Sequence, residues 1–425
     1  MTLISVFNIV YFSLIPLTAH EIFDQLNELK CSKIKHIIFG SKSFDRATSI
    51  IASKKIKQMT SLIHADLADT IAGRETSIGL DVLKTFGESL LCCTQLETLD
   101  LSYNALGTRG INVLQPIIQK HNLKTLRFFD TGLAAAACEE VLRCLELCRE
   151  THGVLVLREL VFGESTSNSE GAMAIAKMVS MSAKSLEIFQ MSAIRCGTSQ
   201  YMKDPLIGGH AIAESLLGCR QMIRLNISDN SFRGAHTKLA RAVANMRHLV
   251  VLNVKDIILT DEGVSLMLAA VASASPPLEE LYLGHNSLTP EGLRHGKLRA
   301  ALCSIDQSLR VLSFQGAEDL ENSGAVIVGK CLRGVCPRLE ELHMSECFLT
   351  RRGVLAMIRY GLTGKKNMQK LLLDGNRISM MGVDEIVMTL GGLGYPDGEG
   401  MMGDMEENED DEESDLEEVL EEDEE

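Results

Sequence analysis

Leu96-Glu97-Thr98-Leu99-Asp100-Leu101-Ser102-Tyr103-Asn104-Ala105-Leu106 sets apolar residues at Leu96, Leu99, Leu101 and Leu106 and a lone amide at Asn104. Apolar residues that alternate in this way form a short strand with one face buried. An Asn just past a strand can hydrogen-bond the backbone groups that a turn exposes. The same spacing returns at residues 278–288 around Asn286, 368–378 around Asn376 and 222–232 around Asn230. Weaker copies put Lys42, Leu67, Thr131, Ser165, Ile194, Ile257, Ala317 and Cys347 at the place of the Asn. Most successive copies lie near 29 residues apart, room enough for a strand, a loop and a full helix.

An L-x-x-L-x-L-x-x-N-x-L pattern at this period marks the leucine-rich repeat, and there are about a dozen copies. They predict an α/β solenoid over residues 1–394, amino-terminal cap included. Its expected form is a horseshoe with a parallel β-sheet on the concave face and α-helices on the convex face. Aromatic residues make up only 4% of the chain and Trp is absent, so Leu, Ile, Val, Ala and Met must fill that core. Gly107, Gly263, Gly292, Gly353 and Gly382 follow the turns and are expected to ease the bend into each helix. After Gly263, the residues Leu266, Leu268, Ala269 and Val271 are expected on the buried side.

Two steps exceed the period. The 37 residues from Leu67 to Asn104 hold an enlarged loop, residues 69–77, and the 36 from Ile194 to Asn230 hold another, residues 196–205. Insertions in solenoids map to loops, often on the binding face; the second loop is equally read as tolerated surface length. From Tyr395 the chain turns to Gly and Pro and then to a run of Asp and Glu. Residues 404–425 hold 16 of the 57 acidic residues and no Lys or Arg, leaving 41 acidic against 42 basic elsewhere. The body is thus nearly neutral and carries no basic stripe for nucleic acid. Residues 395–425 are expected to be a disordered acidic tail, either solubilising or attracting a basic partner.

The twelve cysteines follow no disulfide framework and read as small buried residues of a reducing compartment. Cys331 and Cys336 have no second pair at metal-ligand spacing. The hydrophobic start of the chain has no Lys or Arg before Lys30, so a strand opening the solenoid is expected there, not a secretory signal. No P-loop, no G-x-G-x-x-G after a strand, and no H-E-x-x-H or G-x-S-x-G motif occurs. The histidines, among them His64, His285 and His343, are dispersed. By residues alone, the chain is a protein-interaction scaffold.

The stretch Ala65-Asp66-Leu67-Ala68-Asp69-Thr70-Ile71-Ala72-Gly73-Arg74, then a helix, then Leu99-Asp100-Leu101-Ser102-Tyr103-Asn104-Ala105-Leu106-Gly107, resembles the signature region of RanGAP proteins. That family shows an acidic D-x-x-D…GR loop, a helix and L-S-D-N-A-x-G. Phe12-Ser13-Leu14 and Ile51-Ala52-Ser53-Lys54-Lys55 resemble its amino-terminal cap, and the array length and acidic tail are similar to its short fungal form. Neither the WPP domain of plant members nor the SUMO-modified carboxyl-terminal domain of animal members is expected.

The resemblance implies a GTPase-activating protein for the small GTPase Ran in its GTP-bound form, sometimes with a Ran-binding protein. Such a protein sustains the Ran-GTP gradient of nucleocytoplasmic transport as a cytoplasmic or perinuclear monomer. It uses no cofactor or metal, has no nucleotide site of its own, and binds neither nucleic acid nor membrane. Arg74 is the residue implied to matter most for stimulation. The family is understood to work without an arginine finger, by ordering the partner's own glutamine and switch regions, which is pre-organisation. Arg74 would then serve recognition and loop order, pairing with Asp66 or Asp69. Asp69, Glu75, Asp100, Tyr103, Asn104, Asp130 and Thr131 are the implied partner contacts, Asn104 having a structural task as well. At Phe129-Asp130-Thr131-Gly132-Leu133 the chain departs from the family, which often carries Asn where Thr131 stands. Two other readings are a binding module resembling ribonuclease inhibitor and an acidic-tailed repeat protein of the histone-binding sort; the latter have fewer, shorter repeats.

Overall fold

From His36 onward each strand buries the apolar residue at its second position, such as Ile37, Leu99, Leu126 or Phe189, so the strands are short and turn that residue to the core. Leu99, for example, is fully buried between half-buried Thr98 and Asp100. The computed structural model describes residues 6–8, 30–198, 203–395, 398, 400–403 and 405. The amino-terminal stretch with Phe12-Ser13-Leu14, residues 199–202 of the second long loop, and the acidic run from 406 onward lie outside the described residues. The chain divides into two compact units, Met1–Gly218 and Cys219–Glu425.

The first unit contains strands β1 (Val6–Asn8), β2 (His36–Ile38), β3 (His64–Asp66), β4 (Thr98–Asp100), β5 (Thr125–Phe129), β6 (Glu159–Gly163) and β7 (Ile188–Ser192). Each pairs in parallel with the next. Helices α1 (Arg46–Ile56), α2 (Thr76–Leu90), α3 (Gly107–Lys120), α4 (Ala135–His152), α5 (Asn168–Ser182) and α6 (Ile207–Leu216) follow strands β2 to β7 in turn, and consecutive helices pack on one another. Parallel pairing with a helical crossover is the solution open to strands that all run one way.

The second unit repeats the plan. Strands β8 (Arg224–Asn226), β9 (Val251–Asn253), β10 (Glu280–Tyr282), β11 (Val311–Ser313), β12 (Glu341–His343) and β13 (Lys370–Leu372) pair in parallel, each with the next. Its helices are α7 (His236–Val243), α8 (Asp261–Ala274), the short α9 (Pro290–Leu293), α10 (Lys297–Ser304), α11 (Glu321–Leu332), α12 (Arg351–Gly361) and α13 (Met380–Gly392). The fold is a leucine-rich-repeat α/β solenoid. The last strand edge is covered by the chain itself: Leu371 N and Leu373 N donate to the carbonyls of Met401 and Met402 at 2.8 and 3.1 Å. Tyr395, Met401 and Met402 are buried although they lie past residue 394, the expected end of the repeats. Among the described residues no helix is long and apolar enough to cross a membrane.

The ladder asparagines do what their spacing requires. Asn286 is 4% exposed; its Oδ1 accepts from Ile257 N and Leu259 N, and its Nδ2 donates to the carbonyls of Val254, Leu283 and Gly284. One amide thereby satisfies groups in two adjacent repeats that burial would otherwise orphan.

Two expectations need correction. The buried stripe of α8 is Val264, Met267, Leu268 and Val271, an i, i+3, i+4, i+7 set, while Leu266 is half-buried and Ala269 exposed. Of the five glycines, only Gly107 has a left-handed backbone, φ +48°. Gly353 lies inside α12, where an added Cβ would stand 2.3 Å from Asn322 Oδ1. Its task is close approach of neighbouring helices, not the turn.

Candidate protein-interaction site

The loop that carries Arg74 departs from the repeat at a definable point. The ladder residue of its repeat is Thr70, not Leu67: Thr70 is fully buried and its hydroxyl donates to Leu67 O, three residues back, at 2.9 Å. Thr131 does the same to Phe128 O at 2.8 Å, and the Asn104 amide to Leu101 O at 2.9 Å. A hydroxyl in place of the amide, with Ala65 where most strands carry Leu, shifts the apparent register by three residues. Two positions beyond the ladder residue most repeats bury a side chain, such as Phe44, Leu106 or Leu133. Here that position is Ala72, and it is exposed. The chain therefore lifts away at residues 71–75 and returns at α2, whose first turn follows Glu75.

Arg74 fixes this loop, with partners other than those expected. Its backbone N–H donates to Ile71 O at 3.1 Å, and its Nη2 reaches into the preceding repeat to Ser43 O at 3.0 Å. Ser43 Oγ in turn donates to Ala72 O at 2.7 Å. The guanidinium bonds to neither Asp66 nor Asp69. It lies in the field of Asp45, the residue that caps α1 in a capping box with Thr48. Burial pushes the Asp45 carboxyl upward, but hydrogen bonds from Thr48 and the charge of Arg74 hold it below its ordinary value. Arg74 Nε is buried and makes no hydrogen bond. The arginine thus serves loop order through its backbone N–H and Nη2.

Consecutive loops stack on this one. The N–H groups of Asp69, Tyr103 and Asp130 donate to the carbonyls of Ser102, Phe129 and Gly163 in the next repeat, at 2.9, 2.7 and 3.1 Å. Asp69, Tyr103, Asp130 and Glu164 hold equivalent positions, each left-handed with φ between 43° and 59°. They form a row along one edge of the first unit, spaced as strands are, roughly 5 Å apart. Tyr103 is 54% exposed, Asp130 and Glu164 are exposed, and Asp69 is half-buried with its carboxyl pushed upward by that burial.

Beside the row the sheet face opens into a depression of about 330 Å³ lined by Asp100, Tyr103, Arg127, Phe129, Glu159 and Gln190, among others. Arg127 bridges Asp100 at 3.1 Å and Glu159 at 2.8 Å. Burial works against its charge, yet its bonds to Glu159 and Asp100 raise its affinity for the proton overall. Tyr103 meets Phe129 edge to face, centroids 5.6 Å apart. Phe129 lies over Gly163, where a Cβ would come within 2.6 Å of the ring.

Of the implied contacts, Asp69, Asp100, Tyr103 and Asp130 come together here. Glu75 is exposed at the start of α2, one residue beyond Arg74. Asn104 and Thr131 are fully buried and bond inward, so their side chains offer no surface to a partner. Arg127, Phe129, Glu159, Gly163 and Glu164 were not singled out from the sequence. Their signal was present: all lie at outward strand positions or at the row position. A second depression, about 560 Å³ and lined by Arg333, Ala356, Arg359, Tyr360 and Thr363 in the second unit, holds none of the implied contacts.

A leucine-rich-repeat family model matches residues 92–114 and 274–294. The chain is 30% identical over 129 residues to RAN GTPase-activating protein 2 of Arabidopsis thaliana, covering 30% of this chain and 23% of that protein. It is 37% identical over 89 residues to RAN GTPase-activating protein 1 of the same plant, covering 21% of this chain and 16% of that one. The matches thus span less than a quarter of either relative. The pig (Sus scrofa) ribonuclease inhibitor is 24% identical over 320 residues, 74% of this chain and 59% of that protein.

Proposed function

We propose that this protein is a GTPase-activating protein for Ran, binding its GTP-bound form and accelerating hydrolysis that the partner catalyses. The observation that carries the reading is the Arg74 loop. It is a segment where the first unit leaves its repeat pattern, it is braced from the preceding repeat through Ser43 O, and it adjoins the row of Asp69, Tyr103 and Asp130. The partial likeness to two plant proteins named as Ran GTPase activators supports the same reading. Mechanistically, the loop and the row Asp69, Tyr103, Asp130, Glu164 offer a preformed edge on which a GTPase can be held with its own catalytic groups in order. Pre-ordering of this kind lowers the barrier without any chemistry from the activator. The Thr131 hydroxyl, bonded inward, is not the contact; Asp130 is the residue at that turn that faces the partner. On this reading the protein acts in the cytoplasm.

A pure binding module is the second reading, favoured by the likeness to ribonuclease inhibitor over 74% of the chain. Substoichiometric protein added to Ran loaded with GTP separates the two. An activator turns over many equivalents of Ran-bound GTP, whereas a binding module forms a stoichiometric complex and leaves the hydrolysis rate unchanged.

A further inference from the structure

We infer that the Tyr103–Phe129 pair is a docking anchor for a lysine or arginine side chain on the surface of the protein partner; this rests on the reading above, with Ran as that partner. Three observations converge. First, the pair is built to be presented. Phe129 can lie over β6 only because Gly163 has no side chain, with a would-be Cβ 2.6 Å from its ring, and Tyr103 stands edge-on against it and 54% exposed. A large aromatic held outward by a left-handed backbone is otherwise costly for a monomer.

Second, the surroundings are anionic. Along the row Tyr103 sits between Asp69 and Asp130, with Glu164 next, and no basic residue holds an equivalent position in that stretch. Below it, Asp100 and Glu159 share the single charge of Arg127, so this trio keeps a net negative charge. Third, the depression beside the rings is open and about 330 Å³, enough for one long side chain. A cation lying on an aromatic face and framed by carboxylates is favoured by the ring quadrupole and by Coulomb attraction together. An anionic or purely apolar partner segment would meet repulsion or unpaired carboxylates.

The test measures binding of Ran loaded with a non-hydrolysable GTP analogue, by titration calorimetry at low and high salt. Wild type is compared with Tyr103→Ala, Tyr103→Phe, the double variant Asp130→Lys/Glu164→Lys, and Arg74→Ala, each checked for a native melting curve. Tyr103→Ala is expected to weaken binding about tenfold or more, as loss of an interface anchor does, while Tyr103→Phe stays within about twofold. The double charge reversal is expected to weaken binding most at low salt and to flatten its salt dependence. If Tyr103→Ala and the charge reversal bind like wild type while Arg74→Ala is impaired, the anchor is overturned and the GTPase reading stands. If wild type fails to bind Ran at any salt, the reading falls and the anchor falls with it.

Discussion

Asn104 receives Thr70 N and Ile71 N on its carbonyl, and gives its amide protons to Leu67 O, Leu101 O and Ser102 O. Its substitution by Ala would strand several buried backbone groups at once, each of which costs about 1–3 kcal/mol when unsatisfied. We expect Asn104→Ala to lose about 3 kcal/mol or more in urea unfolding, and a loss under about 1 kcal/mol would contradict the ladder account. The Asn ladder was legible because an amide in a repeated pattern has one good use. The Thr70 position was not, because a hydroxyl makes the same inward bond with no mark in composition. Asp66 gives a second residue-scale test. Burial, and next to it the charge of Asp100, push its carboxyl upward, although Ala68 N donates to it. The folded state therefore holds the proton more tightly than the unfolded chain, and stability falls as pH rises through the carboxylate range. Asp66→Asn keeps the acceptor for Ala68 N and should stabilise the protein at neutral pH, with the gain fading below the ordinary carboxylate pKa. Thermal melts at pH 3 and pH 7 would show it; an equal shift at both would contradict it.

At the scale of the element, strand positions were readable throughout, since the buried middle residue is set by period two. Helix faces were less so. In α8 nearly every residue is apolar or small, so sequence offers several candidate stripes, and only packing against the neighbouring helices selects Val264, Met267, Leu268 and Val271. The same limit hid the task of Gly353, which depends on how near Asn322 of the previous repeat comes. The Arg74 loop adds a link that sequence did not disclose, because Ser43 and Asp45 lie about thirty residues earlier. Asp45 caps α1 and also faces Arg74. We expect Asp45→Ala to cost about 1 kcal/mol of stability as a lost cap. Through the loosened loop it should also cost part of the activation of Ran, read as a lower stimulated hydrolysis rate with the melting point little changed. Unaltered stimulation would separate the cap from the site.

For the whole molecule, a core filled mainly by aliphatic residues also buries most of the thiols. Cys92 and Cys303 are exposed and Cys331 is half-buried, while burial pushes Cys93, Cys196, Cys219 and Cys347 up to about 12. Since the thiolate is the reactive form, a thiol reagent at neutral pH should modify two cysteines quickly and a third slowly in the native protein. All twelve should react after unfolding. Fast reaction of many more would mean that the repeats open readily. The site's composition follows the same division of labour. What the repeat dictates was visible in advance, and what breaks the repeat, at residues 71–75, was visible as a loop of unusual length but not as a geometry.

The most direct test of the account is single-turnover hydrolysis of Ran-bound GTP with catalytic amounts of wild type and of Arg74→Ala. Activators of small GTPases raise such rates by about 10³–10⁵-fold. The account predicts strong acceleration by wild type that collapses in Arg74→Ala while the variant keeps its melting point. Acceleration that survives the substitution would move the site away from the Arg74 loop, and no acceleration by wild type would contradict the proposed function itself.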